Sequence, residues 1–370
     1  MNEIDVVFIH LGEARADHLW LNISRHFDLF PSVPVTVIID SNKHRMSIDQ
    51  RATIFFYQRE STRQGMPDIQ KQDMSFRQGF WRYSLERLFA ITSFHALFPE
   101  KKLLHLESDV ILFPNFPWKR LQKQEKLMWN RYNAERDIAA LLFIPNLIVS
   151  QWLTAELTNL LNENSSYTDM TALSCLARRH PNDVQIFPAL SKVVPKLANS
   201  VWHGDPKLSD ALFNRTVLDD GVFDGAQIGM WLTGQDPRNH YGIIKLHGSG
   251  PSISGDSMID PSAVDYTFSF DGCLKLINKE SLESIDVWAL HIHSKNLQLF
   301  SKAWIKELDR YVELSKNKEP ISFFDGRVLL RMAIESIRNM SFLKFILGFP
   351  YVYRSRRWLS PRIKRLPWIT

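Results

Sequence analysis

Two short clusters, far apart in the chain, hold the residue types for cation chemistry. The first lies in Lys101–Pro117, KKLLHLESDVILFPNFP. Leu103, Leu104 and Leu106 form an apolar run that is too short for an independent helix and suits a buried strand. The run breaks into Glu107-Ser108-Asp109, Val110 to Phe113 resume it, and Pro114 and Pro117 stop it. An acid-x-acid triplet alone is common by chance. This one is wedged into hydrophobic sequence, where two carboxylates carry a desolvation cost unless something compensates them. A hard divalent cation is a natural compensator, because Mg²⁺ and Mn²⁺ favour oxygen ligands and share them with substrate phosphates. The second cluster is Val287-Trp-Ala-Leu-His-Ile-His-Ser-Lys-Asn296. His291 and His293 alternate with Leu290 and Ile292, so on a strand both imidazoles point to one face. Two imidazoles followed by Lys295 suit one end of a site for a cation and a diphosphate. The plainer alternative is a pair of half-exposed histidines on an edge strand, and which histidine would bind is left open.

The elements that must position these clusters read as α/β. Asp5–His10 is a near-continuous apolar run, as expected of a strand buried on both faces of a parallel sheet. Glu13–Phe30 follows, with Leu19, Ile23 and Phe27 at i+4 spacing and Trp20 alongside, the pattern of an amphipathic helix. Val35–Asp40 and Ile54–Tyr57 are the next two strands, which makes the opening a right-handed βαβ unit. Ligands of such sheets bind beyond the carboxyl ends of the strands, which points to His10, Gly12 and Asp40 as neighbours of a nucleotide. Ser61–Ser75 is a polar loop, and Phe80–Leu97 is a helix that carries Arg87. Asn133–Ile144 leads to a further buried strand, Gln151–Leu161 is a helix, and Asp183–Pro188 is a short strand. Thr168 or Asp169 would cap the helix that opens in Tyr167–Leu173. Phe223-Asp-Gly-Ala226 reads as a loop that enters a helix ended by Gly234. Asp224 is there either for hydroxyl recognition or base chemistry, or as an N-cap.

Helix, Leu-Phe-Pro, strand, acid-Ser-Asp, Val-Ile and Pro, in that order, resemble the DXD-containing glycosyltransferases of the GT-A fold. The group that includes glycogenin-like and lipopolysaccharide sugar transferases is the most similar. The resemblance covers roughly the first 300 residues loosely, and it departs from the motif at Glu107, where the family has Asp. It implies a mixed, mostly parallel sheet flanked by helices, and transfer of a sugar from a nucleotide-diphosphate sugar. It also implies a Mn²⁺ or Mg²⁺ ion bound by Asp109, with Glu107 and one of His291 and His293, that holds the diphosphate. By the same resemblance Arg87 and Lys295 face the donor phosphates and Asp169 faces the donor sugar. A nucleotidyltransferase shares this carboxylate logic but wants a Gly-rich basic loop after the first strand, and Gly12-Glu-Ala-Arg15 is a poor version. A non-catalytic sugar-binding or membrane scaffold protein is the rival from outside enzymes.

Composition sets the remaining bounds. The 370 residues, 45% of them apolar, suffice for one large α/β domain or two small ones. We expect a catalytic domain over 1–320, with a nucleotide-binding half over about 1–118 and an acceptor half over 119–320. Residues 321–370 then form a C-terminal helix and basic tail. The formal net charge of +5 is concentrated there. Ser336–Thr370 holds eight of the 45 basic residues and no Asp or Glu, which leaves 37 basic against 40 acidic in the other 335. A nucleic-acid enzyme more often spreads a basic stripe over its working surface, so nucleic acid is not an expected partner. Arg354-Ser-Arg-Arg-Trp358 and Arg362-Ile-Lys-Arg-Leu-Pro-Trp368 interleave cations with aromatics, a pattern suited to an anionic bilayer interface. The N-terminus lacks a signal-peptide layout, and no apolar run reaches the roughly 18 residues of a span. The expectation is a cytoplasmic enzyme, peripheral on the cytoplasmic face of a membrane, acting on a glycan or lipid-linked acceptor. Cys175 and Cys273 make no CxxC pattern.

Overall fold

The long apolar runs become the inner strands of a seven-stranded sheet in the computed structural model. The structure describes residues 4–12, 17–58, 79–133, 136–189, 220–234, 264–269, 271–295 and 297–300. All of them fall in one unit, Met1–Asp309. The loop at 61–75 and the helix and tail beyond 320 lie outside the described residues.

Strands β1 (Ile4–His10), β2 (Val35–Ile39), β3 (Thr53–Phe56) and β4 (Lys102–Leu106) are joined in the order β3-β2-β1-β4, all parallel. The sheet continues through β7 (Arg136–Ile144), β6 (Leu127–Asn133) and β8 (Val184–Ile186). β7 is antiparallel to both β4 and β6, and β6 is parallel to β8. The sheet is therefore mixed and mostly parallel, as the α/β reading expects. Val6 and Phe8 of β1 pack with Leu19, Ile23 and Phe27 of α1 (Asp17–Leu29). Val7 packs on the other face with Leu85, Leu88 and Ile91 of α2 (Phe80–His95). A strand buried on both faces cannot alternate polar and apolar residues, which is why β1 reads as a run.

After β4 the chain changes sheets. The five-stranded sheet runs β10 (Val264–Phe268), β11 (Leu274–Asn278), β12 (Ser284–His291) and β5 (Val110–Leu112), with β9 (Gly221–Phe223) paired to β12. Glu107-Ser108-Asp109 is the turn between β4 and β5, closed by the Val110 N–H on the Glu107 carbonyl at 3.0 Å. The acidic triplet is thus the junction between the two sheets. Antiparallel pairing of β5 with β12 sets His291 opposite Val110, and the Ile292 N–H reaches the Asp109 carbonyl at 2.8 Å. The pairing register alone carries the histidine end of β12 to the acidic turn.

A short helix, α3 (Trp118–Leu121), follows β5, and α4 (Leu147–Glu163) follows β7. α5 (Asp169–Arg179) opens with a capping box on Thr168, and α6 (Gln227–Thr233) follows β9 and packs on β12. A buried ion pair stiffens β6 and β7. Arg131 Nε donates to Asp137 Oδ1 at 2.6 Å, and Trp129 Nε1 donates to Asp137 Oδ2 at 2.8 Å. Next to it, the buried Asn130 amide donates to the Phe223 carbonyl at 3.1 Å and fixes the approach to Asp224. Both cysteines are buried free thiols. No helix among the described residues is long and apolar enough to cross a membrane.

Candidate functional site

Three side chains from two distant parts of the sequence meet at the sheet junction. One ligand atom each from Glu107, Asp109 and His291 lie within 4.8 Å of one another. His291 Nε2 is 3.5 Å from Glu107 Oε2 and 3.5 Å from Asp109 Oδ1. On the other side of the ring, Nδ1–H donates to the Gly225 carbonyl at 3.2 Å. That bond fixes the tautomer and turns the Nε2 lone pair of the neutral ring toward the carboxylates, which is how a metal-ligating imidazole is oriented.

The donor set suits a small divalent cation. Two oxygens and one imidazole nitrogen match Mn²⁺ well and Mg²⁺ acceptably. Ligands about 2.1 Å from a shared ion stand about 3 to 4 Å apart, close to the present spacing. Three protein ligands leave the remaining octahedral positions to water or phosphate oxygens.

His293 is not part of this group. β12 ends at His291, and the chain turns with the His293 N–H on the His291 carbonyl at 3.0 Å and the Lys295 N–H on that of Ile292 at 2.7 Å. The alternation expected of a strand therefore stops two residues too early for both rings to share a face. The His293 ring lies beside that of His291, centroids 5.8 Å apart, and its buried Nδ1 has no hydrogen-bond partner among the described residues. β12 is an inner strand and His291 is buried, so the edge-strand alternative does not describe it.

Arg87 is held between two acids. Its guanidinium pairs with Glu107 and with Asp169 Oδ2, the latter at 2.9 Å, while Nε donates to the Ser84 carbonyl at 3.0 Å. Arg87 thus joins the first turn of α5 to the acidic triplet. Lys295 is exposed, has a left-handed backbone at φ 60°, and is close enough to bear electrostatically on Asp109. Asp224 is wholly committed to backbone. Its carboxylate accepts the N–H groups of Ala226 (3.0 Å), Ile228 (2.9 Å), Gly229 (2.7 Å) and His291 (3.3 Å). These bonds satisfy the N–H groups that open α6, and through the His291 N–H they hold the end of β12 that carries the imidazole.

His10, Gly12 and Asp40 stand at the carboxyl ends of β1 and β2, on the same sheet edge as Glu107. The Gly12 N–H donates to both Asp40 oxygens at 3.0 Å, and His10 packs edge-on against Trp20 with centroids 5.8 Å apart. Gly12 has φ 90°, and a side chain there would meet the Tyr83 ring at 3.1 Å. One neighbour of the site has no counterpart in the sequence reading: His18, whose Nε2 lies 2.8 Å from Ser108 Oγ.

The charges in the cluster support one another. Burial by itself would raise the Asp109 carboxyl, but the His291 imidazolium, with Lys295 and His18 behind it, holds it below the usual carboxylate range. Glu107 is likewise lowered, with Arg87 and then His291 outweighing its burial. Burial opposes the charge on His291, yet Asp109 and Glu107 prevail and push it up to about 9. At Asp169 burial prevails over Arg87 and the carboxyl is raised.

A pH profile follows for the cation-free protein. His26, buried and near Arg25, is pushed down to about 3. His105, buried and near Arg87, goes down to about 4. Both lie below the ordinary value of about 6.5, so the unfolded chain binds more protons and stability is lost as pH falls from about 6.5 toward 4. His291 has the opposite sign. Its contribution is complete below about 6.5 and is lost as pH rises through 9. The melting temperature should peak near neutrality and fall on both sides, and a flat profile between pH 4 and 9 would contradict these assignments.

No family model and no curated protein sequence matches the chain. Among solved structures, the chain is similar to the galactosyltransferase LgtC in complex with donor and acceptor sugar analogues. The match has 14% identity, covers 58% of this chain and 85% of that one, and has a TM-score of 0.37. An active-site mutant of LgtC matches over the same shares with 14% identity and a TM-score of 0.39. The PaToxG glycosyltransferase matches with 12% identity over 49% of this chain and 70% of that one, TM-score 0.33.

Proposed function

We propose that the chain is a metal-dependent glycosyltransferase that moves a sugar from a nucleotide-diphosphate sugar to a glycan or glycolipid acceptor. One observation carries this reading: Glu107, Asp109 and His291 converge at the carboxyl edge of a mostly parallel sheet, where such folds place ligands. Asp109, Glu107 and the His291 Nε2 would hold a divalent cation, Mn²⁺ or Mg²⁺. When bound, that cation supplies charge stabilisation to the leaving diphosphate, a contribution of several kcal/mol. Lys295, exposed beside Asp109, would bind a diphosphate oxygen. The nucleotide would lie over the carboxyl ends of β1 and β2, near His10, Gly12 and Asp40. Arg87 ties Asp169 to the cation ligands, so the donor sugar beside Asp169 and the diphosphate would be oriented by one connected set of charges. Fixing donor and acceptor in this way supplies much of the remaining acceleration.

The test is hydrolysis of UDP-, GDP- and CMP-sugars by the full chain with Mn²⁺ and with chelator. Release of sugar from one donor class that stops in chelator is the expected result. Full activity in chelator would refute the metal role. Turnover of no nucleotide-sugar at all would leave a nucleotidyltransferase or a non-catalytic sugar-binding protein.

The membrane part of the proposal rests on the composition of the tail, where clustered basic and aromatic residues suit an anionic surface. Deletion of the residues after Met340 should abolish co-sedimentation with phosphatidylserine liposomes. Equal binding by the truncated and full-length proteins would exclude that role.

A further inference from the structure

One face of α1 is polar where a helix packed on a core is ordinarily apolar. His18, Asn22 and Arg25 stand at i, i+4 and i+7, next to the Leu19–Ile23–Phe27 stripe that packs on the sheet. All three side chains reach the same stretch of chain. His18 Nε2 meets Ser108 Oγ at 2.8 Å. Asn22 Nδ2 donates to the Ser108 carbonyl at 3.2 Å and to the Val110 carbonyl at 2.7 Å. Arg25 Nη1 donates to the Leu112 carbonyl at 2.7 Å.

The strand β5 explains the arrangement. It ends the five-stranded order, with β12 on one side. The Asp109 carbonyl points to β12, where it accepts the Ile292 N–H. Successive carbonyls along an extended chain point to opposite sides, so those of Val110 and Leu112 point away from β12, and the Ser108 carbonyl in the preceding turn also faces Asn22. On that side the helix takes the place of a neighbouring strand, its side chains making the bonds that a ladder would make.

Asn22 has the special place in this seam. It is buried, and its single amide bridges the carbonyls on either side of Asp109. With the Ile292 N–H on the Asp109 carbonyl, the peptide that carries the acid is held from both sides. We infer that Asn22 is a positioning residue for the cation site: it sets the direction of the Asp109 carboxylate toward His291 and Glu107 without touching the ion. This rests on the proposal that Asp109, Glu107 and His291 bind a cation.

The experiment is Mn²⁺ titration of the full chain, followed by the electron paramagnetic resonance of free Mn²⁺, with thermal melting in chelator alongside. Asn22→Leu keeps the branching at Cγ and removes the bridge, and Asn22→Ser is the smaller variant should the first fail to fold. Arg25→Met is the control, because it removes a bond of the same kind from the same seam three residues from Asp109. We expect both Asn22 variants to bind Mn²⁺ about ten- to a hundredfold more weakly, the range for losing an orienting partner. Arg25→Met should melt lower but bind Mn²⁺ as the parent does. Unchanged Mn²⁺ affinity in a folded Asn22 variant, or equal losses in the Asn22 and Arg25 variants, would overturn the positioning role. Absence of Mn²⁺ binding by the parent protein would instead overturn the cation site itself.

Discussion

On the proposed function, replacement of Asp109 by Asn is expected to lower sugar transfer by about three orders of magnitude, or about 4 kcal/mol at the transition state. The fold should survive. Asn has nearly the same volume, and the backbone bonds that hold the turn, Val110 N–H on Glu107 at 3.0 Å and Ile292 N–H on Asp109 at 2.8 Å, do not use the carboxylate. What disappears is half of the negative charge facing His291 Nε2. Asp109 is the larger of the two carboxylate influences that raise this imidazole to about 9. Its pKa should therefore fall in the variant, and the stability that His291 loses above neutral pH should be smaller and be exhausted at a lower pH. The two readouts separate the roles. A variant that melts like the parent, loses Mn²⁺ affinity and shows the shifted alkaline limb has lost a ligand. One that keeps full transfer shows that the cluster is a structural charge network.

Glu107 differs from Asp109 in a way that matters for the same site. Its carboxylate is shared between the His291 side and Arg87, so a cation and the guanidinium draw on one group. Arg87 is also paired with Asp169 Oδ2 at 2.9 Å.

Much of this was legible in the sequence because it is local. The inner parallel strands announce themselves as apolar runs, and the acidic triplet stands out against them. The choice between His291 and His293 was not legible. It depends on where β12 stops and on which residue of β5 stands opposite His291, and pairing register is a long-range property. The polar face of α1 escaped for a related reason. Leu19, Ile23 and Phe27 carry the periodic signal, while His18, Asn22 and Arg25 look like solvent-facing residues until β5 is beside them. The strands β6 and β9 were hidden as well. LMWNRYN in β6 mixes Trp129 with Asn130 and Arg131, and these are buried only because Asp137 and the Phe223 carbonyl satisfy them. β10 is different, since VDYTF alternates with period two and could have been read as a strand.

Gly229→Ala should show how closely helix packing is tied to the site, and the sign of its effect is the test. In an ordinary helix interior this change stabilises by about 1 kcal/mol, because Ala has the better propensity. Here a Cβ would stand 1.7 Å from the His291 carbonyl oxygen, 2.7 Å from its carbon and 2.9 Å from Asp224 Oδ2. The first two are backbone atoms of an inner strand and cannot rotate away. α6 would have to lift from β12, which breaks the 2.7 Å bond from the Gly229 N–H to Asp224. Overpacking of this kind costs about 1–3 kcal/mol and more where backbone must move, so it outweighs the propensity gain. The variant is expected to melt lower and, because Asp224 also holds the His291 N–H, to bind Mn²⁺ more weakly. A rise in melting temperature would mean that α6 does not seat on the His291 peptide, and the link from Asp224 to the imidazole would fall with it.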